Sequence, residues 1–177
     1  MNRAALQREK LLNAMIFFTK NTRHCHKLKL FKLLFFLDVE VYRETGKTCT
    51  GLRYFAWPAG PVPNKLFDEL KSPGPDLRAA LSRHREFDDS CFTARELVKM
   101  AQLADVYRDA RGKAMTDVSL WHTVYVVEQR HQAEISFELA LDGKPGSVTK
   151  QQAAEIKEEE RELAALFDDI SRSTAER

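Results

Sequence analysis

The residues best suited to binding a metal ion are the consecutive His24, Cys25 and His26. Imidazole and thiolate groups are ligands that zinc prefers, and a structural zinc site needs four of them. On a helix this spacing would place the two histidines on different sides, and no second Cys/His pair lies nearby along the chain. We therefore expect surface residues that precede a helix, and no metal site.

A nucleophilic site would need one of the three cysteines, Cys25, Cys49 or Cys91, beside a histidine from elsewhere in the chain. None of the cysteines lies in a glycine-flanked turn that would present a nucleophile. The chain also lacks a Walker loop, a GxGxxG turn and an HExxH motif. The acidic run 158–160 is typical of a solvated helix face. We expect no catalytic residue, no cofactor and no enzymatic activity.

The composition predicts an ordinary globular chain of 177 residues, with 44% hydrophobic and 31% charged residues. An odd number of widely spaced cysteines argues against a disulfide framework. The most apolar stretch, Leu28–Leu37, is interrupted by Lys29 and Lys32 and is shorter than a membrane span. No cleavable leader is evident. These features predict a cytoplasmic protein with no membrane partner.

Charge is distributed unevenly along the chain. Residues 1–50 contain ten Lys/Arg and four Asp/Glu, whereas residues 151–177 contain four and eight. A basic surface attracts nucleic acid or an acidic protein, and it can also be simply solvated or pair with the acidic tail. The lysines and arginine that could form a nucleic-acid surface are Lys20, Arg23, Lys27, Lys29 and Lys32.

The first half of the chain predicts two helices followed by a strand. Apolar spacing indicates helices over 4–19 and 27–45, and Gly46 stands where a left-handed residue would end the second. Asp38 interrupts the apolar stripe of that second helix, so we expect its carboxylate to accept hydrogen bonds from Thr50 or from backbone amides of the following turn. Residues 48–57 predict a strand, which the three prolines of 58–63 should end as a rigid turn.

The second half predicts further helices and one more strand. Asn64 is a candidate N-cap for a short helix over 65–71, and 76–83 and 149–171 also show helical patterns. Residues 86–92 predict a strand antiparallel to 48–57, and Thr93 with Glu96 forms a capping box for a helix ending near Gly112. Two further segments, a helix from 116 or 117 to 130 and a strand or extended arm over 135–141, complete the chain.

These elements predict an α+β fold that is mostly α, with five to six helices packed on a small antiparallel sheet or hairpin. We expect one domain over 1–145. The remaining residues, 146–177, predict an amphipathic helix that either docks on this domain or binds a partner.

One run of motifs resembles a known family. Lys32-Leu33-Leu34-Phe35-Phe36-Leu37-Asp38 is followed by Thr50-Gly51 and then by Gly60-Pro61-Val62-Pro63. This order is similar to the "KLLYFLD" helix, the "TG" and the "GPVP" turn of the Panacea domain of SocA-like, phage-associated antitoxins, over about residues 10–125. The resemblance implies a bacterial or prophage antitoxin that binds and neutralises a cognate toxin, or an adaptor that delivers the toxin to a protease. It implies no catalytic residues.

The resemblance and the stiff turn together suggest a partner-binding surface. A rigid turn loses little entropy when it contacts a partner, and aromatic residues dominate interface energies. The candidate contact residues are Trp57, Pro58, Gly60, Pro61, Val62 and Pro63. We expect Phe55 to fill the core, whereas the core and a partner are equally open for Trp57. The residues expected to support the motif are Lys32, Asp38, Thr50 and Gly51.

Four functions remain open from the sequence. The first is an antitoxin or adaptor whose partner is a toxin protein. The second is a DNA-binding autoregulator that uses the basic N-terminal region, although no helix-turn-helix pattern is present. The third is another non-catalytic interaction module, and the fourth, which the motifs disfavour, is an enzyme with an unrecognised site. A homodimer through the C-terminal helix is compatible with each of them.

Overall fold

A computed structural model describes residues 2–82, 85–120, 132–141, 149–158, 161, 162 and 165. Its elements are helices α1 (Arg3–Asn21) and α2 (Lys27–Thr45), strands β1 (Phe55–Trp57) and β2 (Gly60–Val62), and helices α3 (Asn64–Glu69), α4 (Pro75–Leu81), α5 (Ala94–Val106) and α6 (Gly112–Leu120). A 3₁₀ helix, Phe137–Ala140, and a C-terminal helical segment, 150–158, follow. The predicted fold class, mostly helical with a small antiparallel hairpin, is confirmed.

Helix α2 is the centre of the core. Twelve of its 19 residues are buried, and α1, α5, α6 and β2 all pack against it. Its straight-chain and aromatic side chains suit a helix that is enclosed on nearly every side. The predicted stop is confirmed, because Gly46 follows the helix with a φ of 69° and its amide donates to the Tyr42 carbonyl.

The hairpin differs from the prediction in both of its strands. β1 covers only Phe55–Trp57 of the strand predicted over 48–57. β2 contains Pro61, whereas the sequence predicts this proline in a turn that ends the strand pairing. Pro61 lies opposite Ala56, whose amide donates to Ala133 and whose carbonyl accepts from Gln132. The β1 backbone at this position therefore needs no N–H from β2, and proline is tolerated there.

The predicted strand over 86–92 is wrong. Residues 85–89 have no regular structure and lead into a turn before α5. The second neighbour of β1 is instead the segment 132–135, where Glu134 bridges Phe55 and the Ile135 amide donates to the Tyr54 carbonyl. The arm predicted over 135–141 is extended only at its start, because it turns into the 3₁₀ helix.

The helix boundaries of the second half show further differences. Asn64 is the first residue of α3, and Pro63 occupies the N-cap position that the sequence predicts for Asn64. The capping box of Thr93 and Glu96 is confirmed, but α5 ends at Val106 and Gly112 begins α6 instead of ending α5. Residues 121–130 of the predicted helix lie outside the described residues, as does most of 159–171.

The C-terminal helical segment lies against the far end of α2. Ala153 is buried, and a Cβ added at Gly46 would lie 3.2 Å from Ile156 Cδ1 and 3.4 Å from Ala153 Cα. The division into 1–145 and 146–177 stays a prediction. Within the described residues, no helix has the length and apolarity to cross a membrane.

Candidate protein-interaction site

A buried lysine joins the hairpin to the central helix. Lys32 is fully buried, and its ammonium donates to the Pro61 carbonyl oxygen at 2.8 Å. Removal of water from the ammonium lowers the pKa of Lys32 from 10.5 to about 7. The side chain therefore attaches β2 to α2, although burial of its charged form is energetically unfavourable.

Asp38 holds the segment that leads into the hairpin. Its buried carboxylate accepts hydrogen bonds from the Thr50 amide at 2.7 Å, from the Thr50 hydroxyl and from the Tyr54 hydroxyl at 2.9 Å. Burial is the largest effect on this group and raises the pKa of Asp38 to about 6, while the hydrogen bonds act in the opposite direction. The expectation that Asp38 accepts from Thr50 is confirmed.

Gly51 completes this supporting set. Its φ is 70°, a left-handed conformation, and a Cβ at this position would lie 2.5 Å from the Gln7 side chain. The backbone conformation therefore favours glycine here, whereas the contact involves the end of a flexible side chain that can move.

The six candidate contact residues fall into two groups. Gly60, Pro61, Val62 and Pro63 are buried in the described structure. Their burial indicates that these four residues shape and anchor the hairpin, and direct contact with a partner by them stays a prediction. Trp57 is half-buried and Pro58 is exposed, so these two remain available as contact residues.

The turn between the strands is built to be stiff. Pro58 follows Trp57, and Gly60 has a φ of 88°, so proline and glycine stand where a tight turn favours them. Ala59, between them, is exposed. Both ends of the turn are fixed by strand pairing, of Trp57 with Gly60.

Sequence reasoning missed the aromatic partner of Trp57. Phe67 of α3 lies with its ring centroid 5.2 Å from that of Trp57, and both are half-buried. Lys27 Nζ lies 3.8 Å and Lys71 Nζ 4.8 Å from the centre of the Phe67 ring, within the range of cation–π attraction. We call Trp57, Pro58, Ala59 and Phe67 the hairpin tip. The only sequence signal for Phe67 was its place in the short helix that follows the Gly-Pro-Val-Pro turn.

The predicted basic surface is smaller than its sequence count. Lys29 and Lys32 are buried and donate to backbone carbonyls, so they cannot contact nucleic acid. Lys20, Arg23 and Lys27 are exposed. The DNA-binding alternative therefore loses two of its five cations.

The reactive side chains are dispersed. In the described ranges, no three His, Cys, Asp or Glu residues group so as to hold a metal ion. Burial is the main cause that raises the pKa of the Cys49 thiol far above its usual range, and it also raises the pKa of Cys25. A protonated thiol is a poor nucleophile, so neither cysteine is activated.

Comparison with protein families identifies the domain. The model of the antitoxin SocA-like Panacea domain matches residues 30–165, which include most of α2, Asp38, Thr50 and the whole hairpin. The chain belongs to the SocA-like antitoxin family. No curated protein and no solved structure shows a significant match. Membership of the Panacea family gives the chain a role of the antitoxin type.

Proposed function

We propose that this Panacea-domain protein neutralises a cognate toxin by binding it directly, with the hairpin tip as the contact point. Trp57 carries this proposal, since it is a half-buried aromatic side chain packed against Phe67 at a turn that backbone pairing holds rigid. Large aromatic side chains that are fixed before binding are typical interface anchors.

The surroundings of the tip support the same proposal. Lys32 and Asp38 attach the hairpin and its lead-in segment to the central helix, so the tip does not have to become ordered on binding. We propose further that the protein acts without catalysis, in line with its unactivated buried thiol at Cys49. Binding at the tip would serve either direct neutralisation or delivery of the toxin to a protease.

Co-expression with the product of the adjacent gene tests the proposal. We expect this chain to restore growth of cells that the product arrests, and we expect the two proteins to co-purify. A product that arrests growth without rescue, or rescue without a complex, contradicts direct neutralisation. The half-life of the product in the presence and absence of this chain distinguishes a proteolysis adaptor from a simple inhibitor.

Variants of the tip locate the contact. Ala59→Gln adds a neutral side chain at an exposed position of the turn, and Trp57→Ala removes the anchor. We expect Trp57→Ala to weaken binding by roughly 30-fold or more, as for an interface hot spot. Leu81→Ala, at an exposed apolar position on α4, is the control and should bind as the wild type does. Unchanged binding by both tip variants places the contact elsewhere.

A further inference from the structure

Two turns that are distant in sequence lie side by side at the hairpin end of the molecule. The turn after α1 and the turn after α5 are joined by the Arg23 amide, which donates to the Arg108 carbonyl at 2.8 Å. The ammonium of Lys29 donates to both of these residues' carbonyls, at 2.8 Å and 3.1 Å. A Cβ at Gly112 would lie 3.4 Å from Leu28, so the start of α6 also lies against the start of α2.

This junction concentrates positive charge. We call its cationic side chains the basic end, and all of them are exposed: Lys20, Arg23, Lys27, Arg108, Arg111 and Lys113. Among the described side chains, Asp109 pairs with Arg23 and Asp105 with Arg108 on the exposed surface. Lys20, Arg111 and Lys113 have no ion-pair partner among the residues that the structure describes.

Several cations of other regions are paired with carboxylates. Arg8 lies between Glu69 and Asp76, Lys10 pairs with Glu96, and Lys99 contacts Glu40 and Glu44. The formal net charge of the whole chain is only +2. The total charge of the chain therefore does not reveal the local excess of positive charge at the basic end.

The basic end is continuous with the hairpin tip. Lys27 belongs to it and also lies over the ring of Phe67, which packs at a tilt against Trp57. Helix α6, which carries Lys113, packs against β2. On its other side the basic end borders a cleft of about 460 Å³ lined by Lys20, Arg23 and Arg108.

From this continuity we propose that the toxin surface facing the hairpin tip is acidic and that its carboxylates lie against the basic end. The inference rests on the proposed function and specifies the chemistry of the partner. An apolar anchor beside a cationic rim matches a protein surface with an apolar centre and carboxylates around it. Duplex DNA would have to be unstacked at a base step to accept the aromatic tip, and α2 is too deeply buried to enter a groove.

Association kinetics with the adjacent gene product test the inference. Exposed charges that face a complementary surface mainly accelerate encounter, and salt screens them. We expect the double variant Lys20→Glu/Lys113→Glu to lower the association rate constant about tenfold at 50 mM NaCl and less than twofold at 500 mM. The control Arg78→Glu/Lys150→Glu makes the same change of net charge at exposed positions elsewhere and should leave the rate constant within twofold.

The result separates the inference from the function. If the association rate constant depends neither on salt nor on the Lys20/Lys113 reversal while Trp57→Ala still weakens binding by roughly 30-fold or more, the function stands and the acidic partner surface is overturned. A second arm needs no toxin. A labelled peptide of 12 glutamates should shift the backbone amide NMR signals of 20–27 and 108–113, and the double variant should lose these shifts.

The same arm decides between protein and nucleic acid. Absence of shifts at the basic end overturns the inference whether or not the gene product binds. Tighter binding of a 12-nucleotide single strand or a 12-base-pair duplex than of the peptide, at the same salt, also overturns it and favours a nucleic-acid ligand.

Discussion

The ammonium of Lys32 lies 2.8 Å from the carbonyl oxygen of Pro61 and thereby joins the central helix to the outer strand of the hairpin. Because the site excludes water, the pKa of this lysine falls to about 7. An unfolded chain would hold the proton up to a pH near 10.5. Folding is therefore coupled to release of this proton over the range between the two values.

The Lys32→Met variant tests this coupling. The unfolded chain binds more protons than the folded chain between pH 7 and 10.5, so wild-type stability should rise with pH in that interval. We expect the free energy of unfolding of the wild type, measured relative to that of the variant, to increase by about 2 kcal/mol between pH 7 and 9. Urea denaturation of both proteins at each pH measures it, and a pH-independent difference would contradict the buried ammonium.

Asp38 should show the opposite dependence. Its pKa is raised to about 6, so its contribution to stability is present below about pH 4 and is lost as the pH rises through 6. The stability advantage of the wild type over Asp38→Ala should shrink by about 2 kcal/mol from pH 4 to 7. Thermal unfolding at a series of pH values measures this advantage, and an advantage that grows with pH refutes the prediction.

A matched variant isolates the hydrogen bonds of the same cluster. Tyr54→Phe removes a single donor to Asp38 and keeps the ring. We expect it to cost about 1 kcal/mol, whereas Asp38→Ala at neutral pH strands the Thr50 amide and both hydroxyls and should cost about 3 kcal/mol. Equal costs for the two substitutions would show that the carboxylate is not the organising group.

Lys29→Met should loosen the ends of two helices at once. The substitution removes the lysine donor from the Arg23 carbonyl and one of two donors from the Arg108 carbonyl, so we expect a loss of about 2 kcal/mol of stability. Hydrogen exchange of the Arg23 amide, which donates to the Arg108 carbonyl, should accelerate. The exposed Lys113→Met is the control, and equal exchange rates in both variants would exclude a clamping role for Lys29.

Gly51→Ala separates backbone strain from steric contact. The left-handed φ of 70° alone should cost about 1 kcal/mol. The contact with Gln7 involves the end of a flexible side chain, so the double variant with Gln7→Ala should recover only a few tenths of a kcal/mol. Chemical denaturation of the two single variants and the double variant completes the cycle. Full recovery in the double variant would assign the cost to the contact instead.

Local patterns predicted the helical body well. The apolar spacing of α2, the left-handed Gly46 and the Thr93–Glu96 capping box all depend on residues within one or two helical turns, and all three are confirmed. The carboxylate of Asp38 was traceable for a related reason. A charge inside an apolar stripe needs a nearby donor, and Thr50 follows it by only 12 residues.

Long-range pairing was beyond the same reasoning. The strand assigned to 86–92 failed because the real neighbour of β1 is the segment 132–135, some 80 residues downstream of Phe55. The sequence does not predict Pro61 in a strand. Proline is acceptable there because Ala56, its partner in β1, bonds to the segment 132–133 instead, and this pairing cannot be read from the sequence. The contact of Phe67 with Trp57 likewise depends on how α3 packs and not on any spacing rule.

The proline of β2 also restricts how a partner can approach. Pro61 has no N–H to offer on the side of β2 away from β1, and its carbonyl is already engaged by Lys32. A peptide that tried to extend the sheet by adding a strand at this edge would find neither a donor nor a free acceptor at Pro61. A partner at this edge must therefore bind through side chains and not through backbone hydrogen bonds. The identity of a few exposed residues then determines which partner binds.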